Sequence, residues 1–479
     1  MELLLIPLLF ALIVAIAPKN LSKWIGLLGS LVTFIAVIAR LAAFVPTEKV
    51  DLLHTDVITS FKMTFNMGYD GMSLLMVILT AVVVPLILLT SLNRSEGQQR
   101  GFNAMVLLME FGLIGVFTAL DGLLFYVFWE LTLIPIFLIA LWYGAEDRKR
   151  VLIKFFIYTF VGSLAMLISL IALGNLAKDF SYESLLEVTL PIKTAFWVMG
   201  GFFLAFAIKI PLFPFHTWQP STYTVAPSAG TMLLSALMLK MALYGMIRWM
   251  IPLAPEVLED YKYIIITLGL IGIVYGAIIA IKQMDIKRLI AFSSISHVGL
   301  IAAGIVLFTE QSLSASYIQM VNHALVAVGL FLAAGILEDR LKTRDLSEMG
   351  GIAVLAPKFA FWFAVISFAA VSVPFTSGFI GEFLLLKGLF YEHWIIGTIA
   401  GTTLVFGAVY TLRAYQLSMF GSPRFESFED LKWNEIIVFA VITLLVVLIG
   451  LFPQFITDLI EPSLDRIYNY IHSVTFQAA

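Results

Sequence analysis

Long apolar stretches separated by short polar segments run through the whole chain. A run of about 17 to 25 apolar residues is long enough for a helix to cross the hydrocarbon core of a bilayer. The pattern predicts fourteen such helices, at 2–17, 23–44, 73–93, 103–119, 122–142, 151–174, 194–215, 228–250, 262–281, 289–308, 315–336, 354–390, 394–420 and 435–453. We therefore expect an all-α polytopic membrane protein that forms a single membrane domain over residues 1–479.

Within this domain the helices divide into four parts. Helices one to three occupy 1–93, two groups of five helices occupy 103–250 and 262–420, and helix fourteen with a C-terminal segment occupies 435–479. An odd number of helices in a group means that the second group enters the membrane from the opposite face. The arithmetic predicts two inverted five-helix repeats, helices four to eight and helices nine to thirteen.

The fourth helix of each group is interrupted by proline. The seventh helix contains Pro211 and Pro214 in KIPLFPFHTW, and the twelfth contains Pro374 in VPFTSGFIGEF. Proline removes a backbone donor, and inside a membrane a broken helix is tolerated only where other groups or a hydrated cavity satisfy the freed backbone. Broken helices in corresponding positions of two halves therefore indicate an ion site.

Four ionisable residues stand in the middle of apolar runs: Glu130, Lys209, Lys240 and Glu382. A charge at the bilayer centre costs at least about 2.5 to 3.5 kcal/mol, so each of these residues needs a partner, water or a proton. They are candidates for function for this reason. A purely structural scaffold would not need four such charges, which makes that alternative the weakest.

Two histidines extend this set. His297 and His323 fall near the centres of the tenth and eleventh predicted helices, as Glu130 and Lys240 do in theirs, while Lys209 and Glu382 flank the two interruptions. If these helices form one bundle, the six groups occupy one layer across the membrane, which suits lateral proton transfer through intervening water.

Structural alternatives remain for each of these residues. Either histidine alone is accounted for by an ordinary interhelical hydrogen bond. Glu130 and Lys209 could form one structural ion pair. Lys240 has no carboxylate nearby on its own helix and cannot reach the membrane surface from mid-span, so a structural role explains it less well.

The composition agrees with a membrane protein and excludes several kinds of chemistry. The chain is 61% hydrophobic and 13% charged, and it contains no cysteine; its mean hydropathy is +0.98. The lack of cysteine excludes disulfides and cysteine-ligated iron–sulfur clusters in this chain. No Gly-rich phosphate loop, haem motif or cluster of metal ligands is visible, so we expect redox chemistry and ATP hydrolysis to belong to other proteins.

The distribution of basic residues predicts the orientation of the chain. Lys and Arg are concentrated in the loops that follow odd-numbered helices: Lys19, Arg94, Arg148, Lys149, Arg150, Lys287, Arg288, Arg340 and Arg344. By the positive-inside rule these loops are cytoplasmic, and both termini lie on the non-cytoplasmic side.

Several segments of the chain resemble the antiporter-like subunits of respiratory complex I, the proton-translocating NADH:quinone oxidoreductase. The segments are FYVFWELTLIPIF, KFFIYT, PFHTWQP, LMLKMALYGMIRW, DIKRLIAFSSISHVG and SGFIGEFL, and they cover helices four to thirteen. The resemblance implies that the residues involved in proton transfer are Glu130, Lys209, Lys240, His297, His323 and Glu382.

The helix-twelve position separates members of that family. The L and N types and the Mrp-type antiporter subunits usually have lysine there, whereas the M type has glutamate, so Glu382 indicates the M type. The chain departs from the family after HTW, where Ser221 and Tyr223 replace an acid and a second histidine. No role of those two family residues is carried over.

The resemblance implies a proton-translocating subunit without a cofactor of its own, with NADH, flavin, iron–sulfur clusters and quinone bound by partner subunits. The implied partners are L- and N-type antiporter-like subunits and the lipid bilayer, with no nucleic acid, and the implied location is the bacterial inner (plasma) membrane. An Mrp-type cation/proton antiporter subunit and a stand-alone transporter for a small solute remain as alternatives.

Overall fold

The computed structural model describes residues 1–58 and 62–477, and helices account for most of them. In chain order the elements are α1 (Glu2–Ile16), α2 (Lys19–Ala42), β1 (Val50–Ile58), β2 (Met63–Tyr69), α3 (Gly71–Ser91), α4 (Arg100–Thr118), α5 (Gly122–Tyr143), α6 (Arg148–Leu176), α7 (Tyr182–Leu186), α8 (Ile192–Lys209), α9 (Gln219–Val225), α10 (Ser228–Leu253), α11 (Leu258–Lys282), α12 (Ile286–Ile305), α13 (Glu310–Leu341), α14 (Ile352–Leu355), α15 (Pro357–Ala370), α16 (Ser377–Glu392), α17 (Trp394–Met419), α18 (Trp433–Leu451) and α19 (Gln454–Gln477).

The helical membrane architecture is confirmed. Among the described residues, twelve helices are long and apolar enough to cross a membrane. The other two of the fourteen predicted spans differ from a simple helix: α1 has only 15 residues, and the twelfth span is divided into α15 and α16. The protein is a multi-pass integral membrane protein.

Both predicted helix interruptions are present. In the seventh span, α8 ends at Lys209 and α9 begins at Gln219 after a short 3₁₀ turn. In the twelfth span, α15 ends at Ala370 and α16 begins at Ser377, and the backbone between them has positive φ angles at Ser372 and Phe375. The interruptions place Lys209 and Glu382 beside non-helical backbone, as the sequence predicts.

Helix α10 is continuous but irregular on both sides of Lys240. Residues Leu234–Met238 and Met246–Met250 are π-helical, and the turn between them is α-helical. Every residue of α10 is buried. Wide π turns of this kind are rare and are frequent at functional sites, because they change the direction of side chains relative to a regular helix.

A two-stranded antiparallel sheet stands where the sequence indicated only a non-apolar segment. Strands β1 and β2 pair as a hairpin, and the backbone N–H of Leu120 donates to the carbonyl oxygen of Asn66 in β2. The Asp121 carboxylate accepts from the backbone and the hydroxyl of Thr64. The hairpin thus covers the loop between α4 and α5, and so short a sheet gave no signal among long helices.

The C-terminal segment, which mixes apolar and charged residues, forms the amphipathic helix α19. Its buried side chains recur at helical spacing: Ile456, Ile460, Leu464, Ile467 and Ile471. They pack this helix against α3 and α13, while charged residues such as Asp465 stay exposed. The apolar stripe therefore contacts the helix bundle itself.

Candidate functional site

The structure brings four of the six candidate residues into one buried cluster, which we call the α10–α16 row: Lys240, His323, His297 and Glu382. Three of these residues are fully or almost fully buried, with Lys240 at 0%, Glu382 at 2% and His323 at 7% exposure. His297 is half-buried. The row crosses the interior of the bundle through α10, α12, α13 and α16.

The row begins at Lys240 in α10. Its Nζ atom lies 2.7 Å from Nδ1 of His323 in α13 and donates to the Ser235 carbonyl oxygen, also at 2.7 Å. On its other side, Nε2 of His323 lies 2.9 Å from the Ser294 hydroxyl of α12. No carboxylate pairs with Lys240 among the described residues, and the charge is solvated by a histidine and a backbone carbonyl instead.

The row ends at Glu382 in α16. Nδ1 of His297 lies 2.8 Å from Oε1 of Glu382, and the same oxygen accepts a hydrogen bond of 2.9 Å from Nε2 of Gln319. His297 in turn has its Nε2 atom 3.2 Å from the Tyr410 hydroxyl of α17. The Glu382 side chain is thus hydrogen-bonded to residues of two other helices, α12 and α13, as buried polar groups generally require.

The two histidines are neighbours without direct contact. Their ring centroids are 6.3 Å apart, and a cavity of about 30 Å³ lies between them. Ser294, Gln319 and Asn322 contribute polar atoms to its wall. A cavity needs at least about 10 to 15 Å³ and several polar partners to hold a water molecule, so this one is large and polar enough for water to connect the rings.

Two glycines allow α16 to approach α13 closely. A Cβ atom on Gly381 would lie 2.6 Å from Oε1 of Gln319, and one on Gly378 would lie 2.8 Å from Nδ2 of Asn322. Ser377, the first residue of α16, donates its hydroxyl to Asn322 at 2.8 Å. The SGFIGEF segment therefore places Glu382 against α13 because its glycines leave room for the neighbouring amides.

Side-chain caps define where the two histidine helices begin. Asp285 accepts from the backbone N–H of Arg288 at the start of α12. Thr309 and Ser312 form a reciprocal capping box at the start of α13. Such caps satisfy backbone donors that a helix start otherwise leaves unpaired. Within α13, Gln319 and His323 are four residues apart, so both face the cavity.

Glu130 and Lys209 occupy a separate region between α5 and α8. Their charged groups do not approach within 4.0 Å of each other in the part of the chain that the structure describes. The half-buried Glu130 lies beside the Ser163 hydroxyl of α6. The ammonium of Lys209 lies 5.1 Å from the centroid of the Trp129 ring, within the range of a cation–π contact.

Aromatic side chains separate this pair from the α10–α16 row. The rings of Trp129 and Phe206 are 5.5 Å apart, and Phe206 packs where Gly245 of α10 leaves space for it. No hydrogen bond or ion pair connects Lys209 to Lys240 among the described residues. The six candidates thus form one connected row of four and one separate pair.

The sequence analysis missed the uncharged members of the site, namely Gln319, Asn322 and Tyr410. Gln319 had a usable signal, because it stands four residues before His323 on the same helix. It also missed a buried ion pair at another place in the bundle, between Asp70 and Arg248 with a distance of 2.6 Å. Arg248 stands in the apolar run LYGMIRWM and could have been flagged by the same rule as Lys240.

The chemistry available to these residues is proton transfer and charge pairing. Lysine, histidine and glutamate exchange protons along hydrogen bonds or through one water. Among the described residues, no group of three or more His, Asp or Glu side chains is arranged to hold a metal ion.

Comparisons with known proteins identify the family of the chain. A family model described as "NADH:quinone oxidoreductase/Mrp antiporter, TM" matches residues 119–407. The chain is 34% identical over 473 residues to the protein named NADH-quinone oxidoreductase subunit M of Rhodobacter capsulatus, covering 95% of this chain and 92% of that one.

Solved structures extend the likeness to the whole fold. A chain of respiratory complex I from Thermus thermophilus with bound NADH superposes with a TM-score of 0.91 at 31% identity, covering 98% of this chain and 99% of that chain. A chain of the Mrp complex from Dietzia sp. DQ12-45-1b superposes with a TM-score of 0.87 at 20% identity, with 99% of each chain covered. The second likeness shows a shared fold alone.

Proposed function

Because the chain belongs to the antiporter-like membrane subunits of NADH:quinone oxidoreductase, of the M type, we propose that the α10–α16 row is its proton path. The protein is a membrane subunit of a proton-translocating complex in which quinone reduction takes place in other subunits. In this proposal Lys240, His323, His297 and Glu382 transfer the proton laterally through the bundle.

The observation that supports this path is the pair of short polar contacts at its two ends, joined by a cavity that both histidines line. Two links are direct, with 2.7 Å between Lys240 and His323 and 2.8 Å between His297 and Glu382. The third link is the polar cavity between the histidines. Proton transfer needs donor and acceptor within hydrogen-bond distance or one water apart; the two direct links meet the first condition, and in the proposal a water molecule in the cavity completes the third.

Glu130 and Lys209 have a different role in the proposal. They act as a switch whose ion pair opens and closes as charge changes in a neighbouring subunit. At about 4 Å and an effective dielectric near 20, closing the pair contributes about 4 kcal/mol. Moving one charge against roughly 150 to 200 mV costs about 3.5 to 4.6 kcal/mol. The separated groups of this structure correspond to the open switch.

We extend the proposal to the surroundings of the subunit. Its partners are L- and N-type antiporter-like subunits, and NADH, flavin, iron–sulfur clusters and quinone bind to other subunits of the complex. The membrane is the bacterial inner membrane, with both termini on the non-cytoplasmic side. The five-helix groups at 103–250 and 262–420 are inverted repeats of each other, which accounts for one interrupted helix in each.

The proposed path is tested with the Glu382→Gln variant, in membranes that contain the variant complex and the parent complex at the same abundance. We expect NADH:quinone activity and proton uptake to fall about tenfold or more, because the amide cannot accept the proton from His297. NADH oxidation by a small artificial acceptor should stay unchanged, since that reaction bypasses the membrane subunits. Glu382→Lys should restore part of the activity by returning a titratable group.

A matched control is Glu392→Gln on the same helix. Glu392 pairs with Lys262 near the end of α16, away from the row, at 2.9 Å. This variant should keep coupled activity within about twofold of the parent. Normal proton uptake by Glu382→Gln would remove Glu382 from the path and overturn the proposal.

A further inference from the structure

The Tyr410 hydroxyl contacts the imidazole of His297 deep in the bundle. Tyr410 is 1% exposed, and its hydroxyl oxygen lies 3.2 Å from Nε2 of His297. Within the part of the chain that the structure describes, this is the only hydrogen bond formed by that hydroxyl. A buried hydroxyl that contacts a single nitrogen either accepts its proton or donates to its lone pair, and the surrounding bonds decide between the two.

The direction of the neighbouring hydrogen bonds can be followed from Ser377. The Ser377 hydroxyl donates to Oδ1 of Asn322 at 2.8 Å, and Nδ2 of Asn322 faces Oε1 of Gln319 at 3.5 Å. Nε2 of Gln319 then donates to Oε1 of Glu382. Because each amide has one donating and one accepting end, this order makes Glu382 the acceptor at the end of the chain.

The same carboxylate oxygen faces Nδ1 of His297. As the proton acceptor of the proposed path, Glu382 is a carboxylate before the transfer and only accepts hydrogen bonds, so in this state Nδ1 of His297 carries the proton that is donated to it. In neutral imidazole the other nitrogen, Nε2, then has a lone pair. The Tyr410 hydroxyl is placed to donate to it.

We infer that Tyr410 is a positioning residue that holds His297 in the Nδ1–H tautomer, with that proton directed at Glu382. The opposite tautomer would aim the Nδ1 lone pair at the carboxylate and leave the Tyr410 O–H without an acceptor. The inference rests on the proposed function, since it assigns to His297 the donation of a proton to Glu382. In the step, a proton that arrives from water in the neighbouring cavity first converts His297 to imidazolium, which then transfers its Nδ1 proton to Oε1 of Glu382 and is left as neutral imidazole.

The variant that tests this role is Tyr410→Phe, which removes one oxygen and keeps the ring. We expect coupled NADH:quinone turnover to fall about three- to tenfold, the cost of losing one buried hydrogen bond. Tyr415→Phe is the matched control on the same helix, because the Tyr415 hydroxyl donates to the Ala360 carbonyl at 3.1 Å and has no contact with the row. This control should keep turnover within about twofold.

Two readouts distinguish positioning from general support of the fold. First, Tyr410→Phe should cause no additional loss when His297 is already replaced by Gln, because its effect acts through that imidazole. Secondly, infrared difference spectra should show the C4–C5 imidazole band of the Nδ1–H form in the parent and in Tyr415→Phe. This band, assigned by its loss in His297→Gln, should shift to the Nε2–H position in Tyr410→Phe.

An unchanged tautomer band in Tyr410→Phe would overturn the inference, as would losses that add fully to those of His297→Gln. These results are separate from the fate of the proposed function. If Glu382→Gln translocated protons normally, the path would be wrong, whereas the spectra would still report whether Tyr410 selects the tautomer.

Discussion

The two charged regions of the bundle are built in opposite ways. In the α10–α16 row, Lys240 and Glu382 each contact a histidine within 2.8 Å, and the Gln319 amide donates to the carboxylate. Between α5 and α8, Lys209 lies on an aromatic ring and Glu130 lies beside a serine. The row holds its ionisable groups in place by hydrogen bonds. In the region between α5 and α8, the two oppositely charged groups are free of such bonds to each other and can still approach one another.

This difference shows how one chain can separate conduction from control. Proton transfer requires short, oriented hydrogen bonds, which the row supplies through the close approach of α16 to α13. A switch requires two arrangements of similar free energy, and an ion pair already closed in a dry interior would be hard to open. A lysine stabilised by an aromatic ring can leave it without breaking a strong hydrogen bond.

The largest effect is expected when the first residue of the row is removed. Lys240→Met should lower coupled turnover and proton uptake about tenfold or more, because His323 then loses the ammonium group that is hydrogen-bonded to its Nδ1 atom. The complex should still assemble, since an apolar side chain in this buried place lowers the cost of membrane insertion. Turnover and complex abundance are measured in the same membranes.

Lys262→Met is the control for Lys240→Met. Lys262 forms its ion pairs near the start of α11, with Glu392 at 2.9 Å and Glu259 at 3.6 Å. It should keep turnover within about twofold, because these ion pairs lie away from the row and make no contact with it. Normal proton uptake by Lys240→Met would show that the row starts elsewhere.

A smaller effect is expected for double variants, in which two residues of the same region are replaced together. Glu130→Gln and Lys209→Met should be non-additive in turnover, because either change alone disables the switch. In thermal stability of the complex they should deviate from additivity by less than a closed ion pair would, since the two charges interact only through space in the resting state.

The corresponding pair in the row should behave differently. His297→Gln and Glu382→Gln share a direct hydrogen bond, so they should be non-additive in both turnover and thermal stability, with an interaction of about 0.5 to 3 kcal/mol. If Glu130→Gln and Lys209→Met were also strongly non-additive in stability, the first pair would be closed at rest. The contrast between the two regions would then be wrong.

The same contrast explains which features the sequence could predict. Glu130, Lys209, Lys240 and Glu382 were visible because a charge in an apolar run is costly wherever it lies. The interrupted helices were visible because Pro211 and Pro374 act locally. Gln319 could be found only through its spacing of four residues from His323. Tyr410 was not visible, since an uncharged polar side chain in a helix acquires its role only from what a neighbouring helix, here α12, brings to it.

The arrangement of Glu130 and Lys209 was equally beyond sequence reasoning. Both residues were identified, and an ion pair between them was one interpretation. Their separation depends on where Trp129 and Ser163 lie in three dimensions, and spacing along the chain carries no information about that. The π turns around Lys240 were missed for a similar reason, because they depend on packing on every side of α10.

The smallest expected effect concerns the ring under Lys209. Trp129→Phe keeps an aromatic face but weakens the cation–π contact, which contributes about 2 kcal/mol at desolvated sites and is strongest for tryptophan; Lys209 and Trp129 are both buried. Coupled turnover should fall about twofold, because the ammonium is then held less well while the switch is open. Trp142→Phe, at an exposed position of the same helix, should leave turnover unchanged.

In a Glu130→Gln background, where Lys209 has no carboxylate with which to form an ion pair, Trp129→Phe should have no further effect on turnover. A loss that persisted in that background would show that Trp129 supports packing of α5 and α8 and has no part in the switch.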